Sequence, residues 1–108
     1  MADSAAGPLT QVTLVTAPDM RCAKELAEGL VESKVAVCVN LVRDVASVYR
    51  WEGKVTWDDE VLLVIKAPAC NADSIVSYVL AHHPYENPEV IHVPITGGSP
   101  DYLSWLTS

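Results

Sequence analysis

The chain has 108 residues, half of them hydrophobic, and carries a formal net charge of −7. That length makes one domain, which buries roughly 65% of its unfolded surface on folding. Seven basic residues spread without a Lys/Arg run exclude recognition of nucleic-acid backbones and anionic membranes, and no apolar run approaches a membrane span.

Residues 1–9 are small and polar and are expected to form a flexible tail, with the folded domain over 10–108. Cys22, Cys38 and Cys70 form no C-x-x-C pair, and their odd number argues against a disulfide framework. Free thiols suit a reducing compartment, so the cytoplasm is the expected location.

Gln11 to Ala17 is rich in β-branched residues and stops at Pro18, which predicts a strand. Asp19 is placed to cap a helix carrying Ala23, Leu26, Ala27, Leu30 and Val31 on one face. Cys22 falls in its first turn, where the helix field favours a thiolate, but no base lies near it in sequence.

Val35 to Trp51 is apolar on both sides at first and then alternates, with Cys38 expected in the core. Glu52-Gly53 turns the chain, and Val55, Trp57, Val61, Leu63 and Ile65 alternate up to Pro68, so a long hairpin is expected. An irregularity is placed near Asp58-Asp59, and Asp58-Asp59-Glu60 reads as a solvated acidic face that discourages stray edge pairing.

From Asn71, a second helix puts Ala72, Ile75, Val76, Val79 and Leu80 on one face and ends before Pro84. Glu89 to Thr96 is the last strand, on an edge because of Pro94. Ser99-Pro100 starts a short terminal helix bearing Tyr102, Trp105 and Leu106.

The order β-α-β-β-α-β plus a final helix predicts an α+β, ferredoxin-like antiparallel sheet with both long helices on one face. A strand from Val35 to Tyr49 spans about 50 Å at roughly 3.3 Å per residue. A domain of this size is only about 35 Å across, so the hairpin must bend or project. A projecting ribbon with Tyr49, Trp51 and Trp57 needs a partner, and an oligomer closed by strand pairing is expected.

The segment Ala81-His82-His83-Pro84-Tyr85-Glu86-Asn87-Pro88-Glu89 sets two imidazoles beside carboxylates and a phenol. His82 and His83 are the candidate metal ligands, with Glu86 and Cys70 as weaker ones; imidazole favours Cu(II) over Zn(II) and Ni(II). Adjacent helical residues point about 100° apart, so the pair shares an ion only if the helix unwinds. The alternative packs His83 on the sheet and lets His82 cap the last carbonyls. Tyr49, Trp51, Trp57, Tyr85 and Trp105 are the expected subunit-interface residues. No H-E-x-x-H, G-x-S-x-G or P-loop is present, and no enzyme is expected.

In order and spacing, Val15-Thr16-Ala17-Pro18, Val35-Ala36-Val37-Cys38-Val39-Asn40, Ser47 through Lys54, Glu60 through Lys66, His83-Pro84-Tyr85-Glu86 and Tyr102 through Leu106 resemble the CutA family, the divalent-cation tolerance proteins. The resemblance covers almost all of the chain after the tail. It implies a homotrimer of ferredoxin-like subunits, similar in architecture to PII signalling proteins, and a role in copper and divalent-metal tolerance. For bacterial members it implies copper held by the His-His pair, here His82 and His83, and a first-strand cysteine whose position is held by Val15. That departure predicts weak binding. Animal members are associated with anchoring acetylcholinesterase, so an unidentified protein partner stays open, as does a PII-like small-molecule sensor.

Overall fold

The computed structural model describes residues 8–108. Most of the expected tail, residues 1–7, lies outside the described residues; at Leu9 the carbonyl already accepts from Ala69 N–H at 2.8 Å. Strand β1 runs Thr10–Ala17, helix α1 Met20–Glu32, β2 Cys38–Trp51 and β3 Lys54–Pro68. A 3-10 turn at Ala69–Asn71 leads into α2, Ala72–His82; β4 is Ile91–Pro94 and α3 Pro100–Thr107. The strands form one antiparallel sheet in the order β2-β3-β1-β4. Pro94 lies on the edge, where its missing N–H costs no ladder bond.

Each helix boundary has a local cause. Asp19 accepts the Cys22 N–H at 2.8 Å and caps α1. Lys34, at φ 65°, turns the chain out of α1 in the left-handed conformation. Asn71 does not cap α2; its side chain donates to the Val35 carbonyl at 3.0 Å and ties the start of α2 to the α1–β2 link. Pro100 takes the first helical position of α3.

Alternation assigns the two sheet faces. Val15, Ala17, Val61, Leu63, Ile65 and Ala67 are buried with Ala23, Leu26 and Leu30 of α1 and with Ile75 and Val79 of α2. Leu80, expected on that face, is 58% exposed, and Tyr78 packs against the core in its place. Tyr78 fits because α1 presents Gly29 there: a Cβ on Gly29 would sit 1.8 Å from the Tyr78 hydroxyl.

The opposite face carries Val12, Leu14, Val64 and Lys66, with Cys38, Asn40 and Val42 across the ladder. Cys38 therefore lies away from α1 and α2, half-exposed, and not in the core. Helix α3 packs against β3 and β1 on this face; Lys66 Nζ stands 5.9 Å from the Tyr102 ring. Leu106 is its fully buried residue, while Tyr102 and Trp105 meet outside it with ring centroids 5.4 Å apart.

The β2–β3 ribbon extends past both layers. The chain measures 49 × 28 × 23 Å with a Cα radius of gyration of 15.0 Å, against about 13 Å for a rounded domain of this length. Its tip is a two-residue turn with Glu52 at φ 49° and Gly53 at φ 79°, the signs of a type I′ turn. The ladder irregularity falls at Arg43-Asp44, where two β2 residues oppose Val61 and Asp44 has φ 59°. Asp58 and Asp59 pair regularly with Ser47 and Ala46, so the expected irregularity moves to the other strand. The bulge shifts the alternation of β2 by one, so Tyr49 and Trp51 continue the face that carries Asn40 and Val42.

Candidate metal and assembly site

Helix α2 ends where Pro84 forbids another turn: His83 is extended, at φ −81° and ψ 140°, while its N–H still bonds the Val79 carbonyl at 2.8 Å. That break sends the two imidazoles different ways.

His83 is 8% exposed. Its Nε2–H donates to the Thr16 carbonyl at 2.8 Å, and its Nδ1 accepts the Tyr85 N–H at 3.0 Å. A carbonyl can only accept and an amide can only donate, so these partners select the Nε2–H tautomer and occupy both ring nitrogens. His82 is exposed and lies flat on Tyr78, with centroids 4.0 Å apart and an interplanar angle of 19°. Its Nδ1 meets the Tyr78 carbonyl at 2.8 Å and must donate there, which leaves Nε2 with a lone pair toward solvent.

Glu86 is exposed, three residues past His83 in the loop. Cys70 is exposed in the 3-10 turn and donates to Asn71 Oδ1 at 3.6 Å. It precedes α2 whereas His82 closes it, a separation of about 18 Å along a helix, so the two cannot share an ion within one chain. Val15 is fully buried and offers no ligand. Among the described residues, no three His, Cys, Asp or Glu side chains converge. This donor set does not fit a chelated metal; it offers one free imidazole nitrogen.

The Cys22 thiol is pushed up from its ordinary value by burial first, and then by Asp19 and Glu25. The helix-end field that would favour its thiolate is thus outweighed.

Two phenol–carboxylate pairs lie along the ribbon. The Tyr85 hydroxyl donates to Glu60 Oε2 at 2.9 Å, and the Tyr49 hydroxyl donates to Asp58. Glu60 is 8% exposed, so the expected solvated acidic face holds a buried carboxylate instead. Burial, the Glu60 hydrogen bond and nearby negative charge raise the Tyr85 phenol well above its ordinary range. The Tyr49 phenol is raised chiefly by its bond to Asp58.

Sequence reasoning passed over a third histidine. His92 Nδ1 lies 2.8 Å from Thr13 Oγ1 and 3.0 Å from Gln11 Nε2, in a polar patch between β1 and β4 on the helix-covered face. Gln11 and Thr13 share the parity of buried Val15 and Ala17, a signal that these polar groups need a partner.

The aromatic residues expected at an interface are all open in the single chain: Tyr49, Trp51, Trp57, Tyr85 and Trp105 are 36% to 67% exposed. Val48 and Val55 flank Trp57 on the ribbon and are as open. A cavity of about 250 Å³ under the bulge is lined by Pro18, Met20, Arg43, Asp44, Asp59, Glu60 and Val61. Three carboxylates against one guanidinium make it a poor seat for phosphate.

A βαββαβ sheet with a projecting ribbon and a His-His-Pro turn defines a class, and sequence comparison names it. The model of the CutA1 divalent ion tolerance protein family matches residues 11–108, and the chain belongs to that family. It is 48% identical over 95 residues to the chloroplastic protein CutA of Arabidopsis thaliana, covering 88% of this chain and 52% of that one. It is 40% identical over 97 residues to the divalent-cation tolerance protein CutA of Pectobacterium atrosepticum, covering 90% and 88%. The chain thus spans about half the length of the Arabidopsis relative. Among solved structures, CutA1 from Oryza sativa superposes with a TM-score of 0.89 at 44% identity, covering 92% of this chain and 91% of that one. The divalent cation tolerance protein of Thermus thermophilus gives 0.89 at 39%, covering 92% and 96%. No helix among the described residues is long and apolar enough to cross a membrane.

Proposed function

We propose that this chain is the subunit of a ferredoxin-like homotrimer that acts in divalent-metal tolerance without catalysis and binds divalent cations, copper among them, weakly. Residues 10–108 form its folded unit, and three unpaired thiols suit a reducing compartment such as the cytoplasm. The binding segment is His82-His83, with Glu86 as an accessory donor; Cys70, before the other end of α2, is a separate weak donor. The observation that carries the reading is the free Nε2 of an exposed His82 in a chain of this family. Weakness follows from Val15 in place of a first-strand thiolate.

Trimerisation is supported by the ribbon, whose Tyr49, Trp51 and Trp57 have no cover in one chain. Tyr85 and Trp105 extend the same contact surface. Calorimetric titration with Cu(II) tests the metal role: a weak isotherm is expected for the wild type and is lost in a His82→Ala, His83→Ala variant. Identical isotherms would remove both histidines from the site. Sedimentation at micromolar dilution is expected to give three times the chain mass; a folded species of single-chain mass would overturn the assembly.

The second reading is a scaffold that anchors a partner protein without a metal role. The occupied nitrogens of His83 favour it, and titrations showing no metal binding to the wild type would select it.

A further inference from the structure

We propose that the cavity under the bulge is a binding site for a small organic dication, a diamine whose two ammonium groups are joined by a short alkyl chain. The proposal does not rest on the metal reading above.

The bulge borders the cavity. Two β2 residues stand against Val61 there, and Asp44 turns through φ 59°. The space of about 250 Å³ lies between the bulge, β3 and the link from β1 to α1. Pro18, Met20 and Val61 give it apolar walls, while Asp44, Asp59 and Glu60 set three carboxylates against the one guanidinium of Arg43. The lining therefore carries two more negative than positive charges. None of the five aromatic residues assigned to the subunit contact lines it. Drug-sized pockets begin near about 300 Å³, so the ligand is small.

Glu60 is the anchor. It is 8% exposed, and the Tyr85 hydroxyl occupies its Oε2 alone. Among the described residues no shielded side-chain oxygen lacks a hydrogen-bond partner. Oε1 has no such partner, so it is open, and the opening that Glu60 borders is this cavity. A buried carboxylate with a free oxygen is satisfied best by a cationic donor.

The spread of charge selects the kind of cation. No three His, Cys, Asp or Glu among the described residues are grouped to hold a metal ion. Glu60 is buried, whereas Asp44 and Asp59 are exposed at the rim. That arrangement suits a cation with two ends. One ammonium meets Glu60 and the other meets Asp44 and Asp59, with the methylenes laid against Met20 and Val61.

The test is calorimetric titration of the full chain in its native assembly with 1,4-diaminobutane, followed by NMR of the complex. The diamine is expected to bind about tenfold or more tightly than n-butylamine, which has one charge, and 1,4-butanediol, which has none, is expected not to bind. Glu60→Gln keeps an oxygen for the Tyr85 hydroxyl but removes the charge, and is expected to weaken diamine binding about tenfold or more. Asp59→Asn, at the exposed rim, is expected to weaken it about two- to fivefold. Glu28→Gln removes an exposed charge from α1 and is expected to leave affinity unchanged, which separates the site from the general pull of a chain of net charge −7. Cross-relaxation from the diamine methylenes to the Met20 and Val61 methyl groups is expected in the complex.

Equal affinity for the diamine and n-butylamine overturns the two-ended ligand. A loss in Glu28→Gln as large as that in Glu60→Gln overturns the site, because net charge alone then explains binding. Undiminished binding by a folded Glu60→Gln chain overturns it as well, as does a complex without contacts to Met20 and Val61. A wild type that gives neither heat nor cross-relaxation with the diamine ends the proposal.

Discussion

The Tyr85 hydroxyl bonds Glu60 across 25 residues of sequence, and among the described residues it is the one side-chain donor to a carboxylate that is 8% exposed. Removing it in Tyr85→Phe leaves that carboxylate without its partner. A loss of about 1–2 kcal/mol in unfolding free energy is expected from urea denaturation. Tyr49→Phe, whose phenol bonds the exposed Asp58, is expected to change stability far less.

The same phenol gives the protein an alkaline limit. Burial and the Glu60 bond raise the Tyr85 ionisation above its ordinary value of 10.0. Between the unfolded and folded values the folded chain holds the proton that the unfolded chain has lost, so stability falls as pH rises. The contribution is complete below pH 10 and is lost progressively above it. Denaturation midpoints from pH 9 to pH 12 are expected to fall more steeply in the wild type than in Tyr85→Phe; equal slopes would remove Tyr85 as the cause.

The two histidines should separate in stability as they do in geometry. His83→Ala strands the Thr16 carbonyl and the Tyr85 amide and is expected to cost about 2–4 kcal/mol. His82→Ala removes an exposed ring and is expected to stay within about 0.5 kcal/mol. Denaturant midpoints that fall equally in both variants would contradict that separation.

At Gly29 two effects oppose each other. Alanine gains about 1 kcal/mol of helix propensity, but its Cβ would meet the Tyr78 hydroxyl at 1.8 Å. Overpacking costs about 1–3 kcal/mol, so a net loss of about 1 kcal/mol is expected from denaturation. Because the hydroxyl is the far end of a side chain, the ring is expected to swing and release His82, seen as an increase in His82 line width by NMR.

The ribbon tip can be tightened. Glu52 sits at φ 49° in a turn that favours Asn-Gly, and Asn tolerates this conformation better than Glu. Glu52→Asn is expected to add up to about 1 kcal/mol of stability, checked by thermal unfolding. A lower midpoint would show that Glu52 makes an interaction outside its own chain.

Strand and helix order is legible in the sequence because the apolar spacing is regular: α1 follows Asp19, and β3 alternates from Val55 to Ala67. The bulge is misplaced by sequence reasoning because Val35 to Val42 is apolar on both sides, which hides the change of parity at Arg43-Asp44. Glu60 reads as solvated because its donor lies in another segment. Pro84 and helix geometry already raise a division between His82 and His83 as an alternative. Its outcome depends on the Thr16 carbonyl, 67 residues from His83, which sequence spacing cannot place. Gln11, Thr13 and His92 escape notice for the same reason, although two polar residues on a core-facing parity already ask for a partner.

The extra residue opposite Val61 acts as a selector of sides. Delete Asp44 and the ladder closes one for one with Val45 still opposite Glu60, so no side chain changes sides; keep Asp44 but pair it with Glu60 in a regular ladder, and everything from Val45 to Trp51 turns over. Val48 and Arg50 would then take the side now held by Tyr49 and Trp51. The left-handed backbone at Asp44 thus decides which aromatic rings a neighbouring molecule meets on this ribbon.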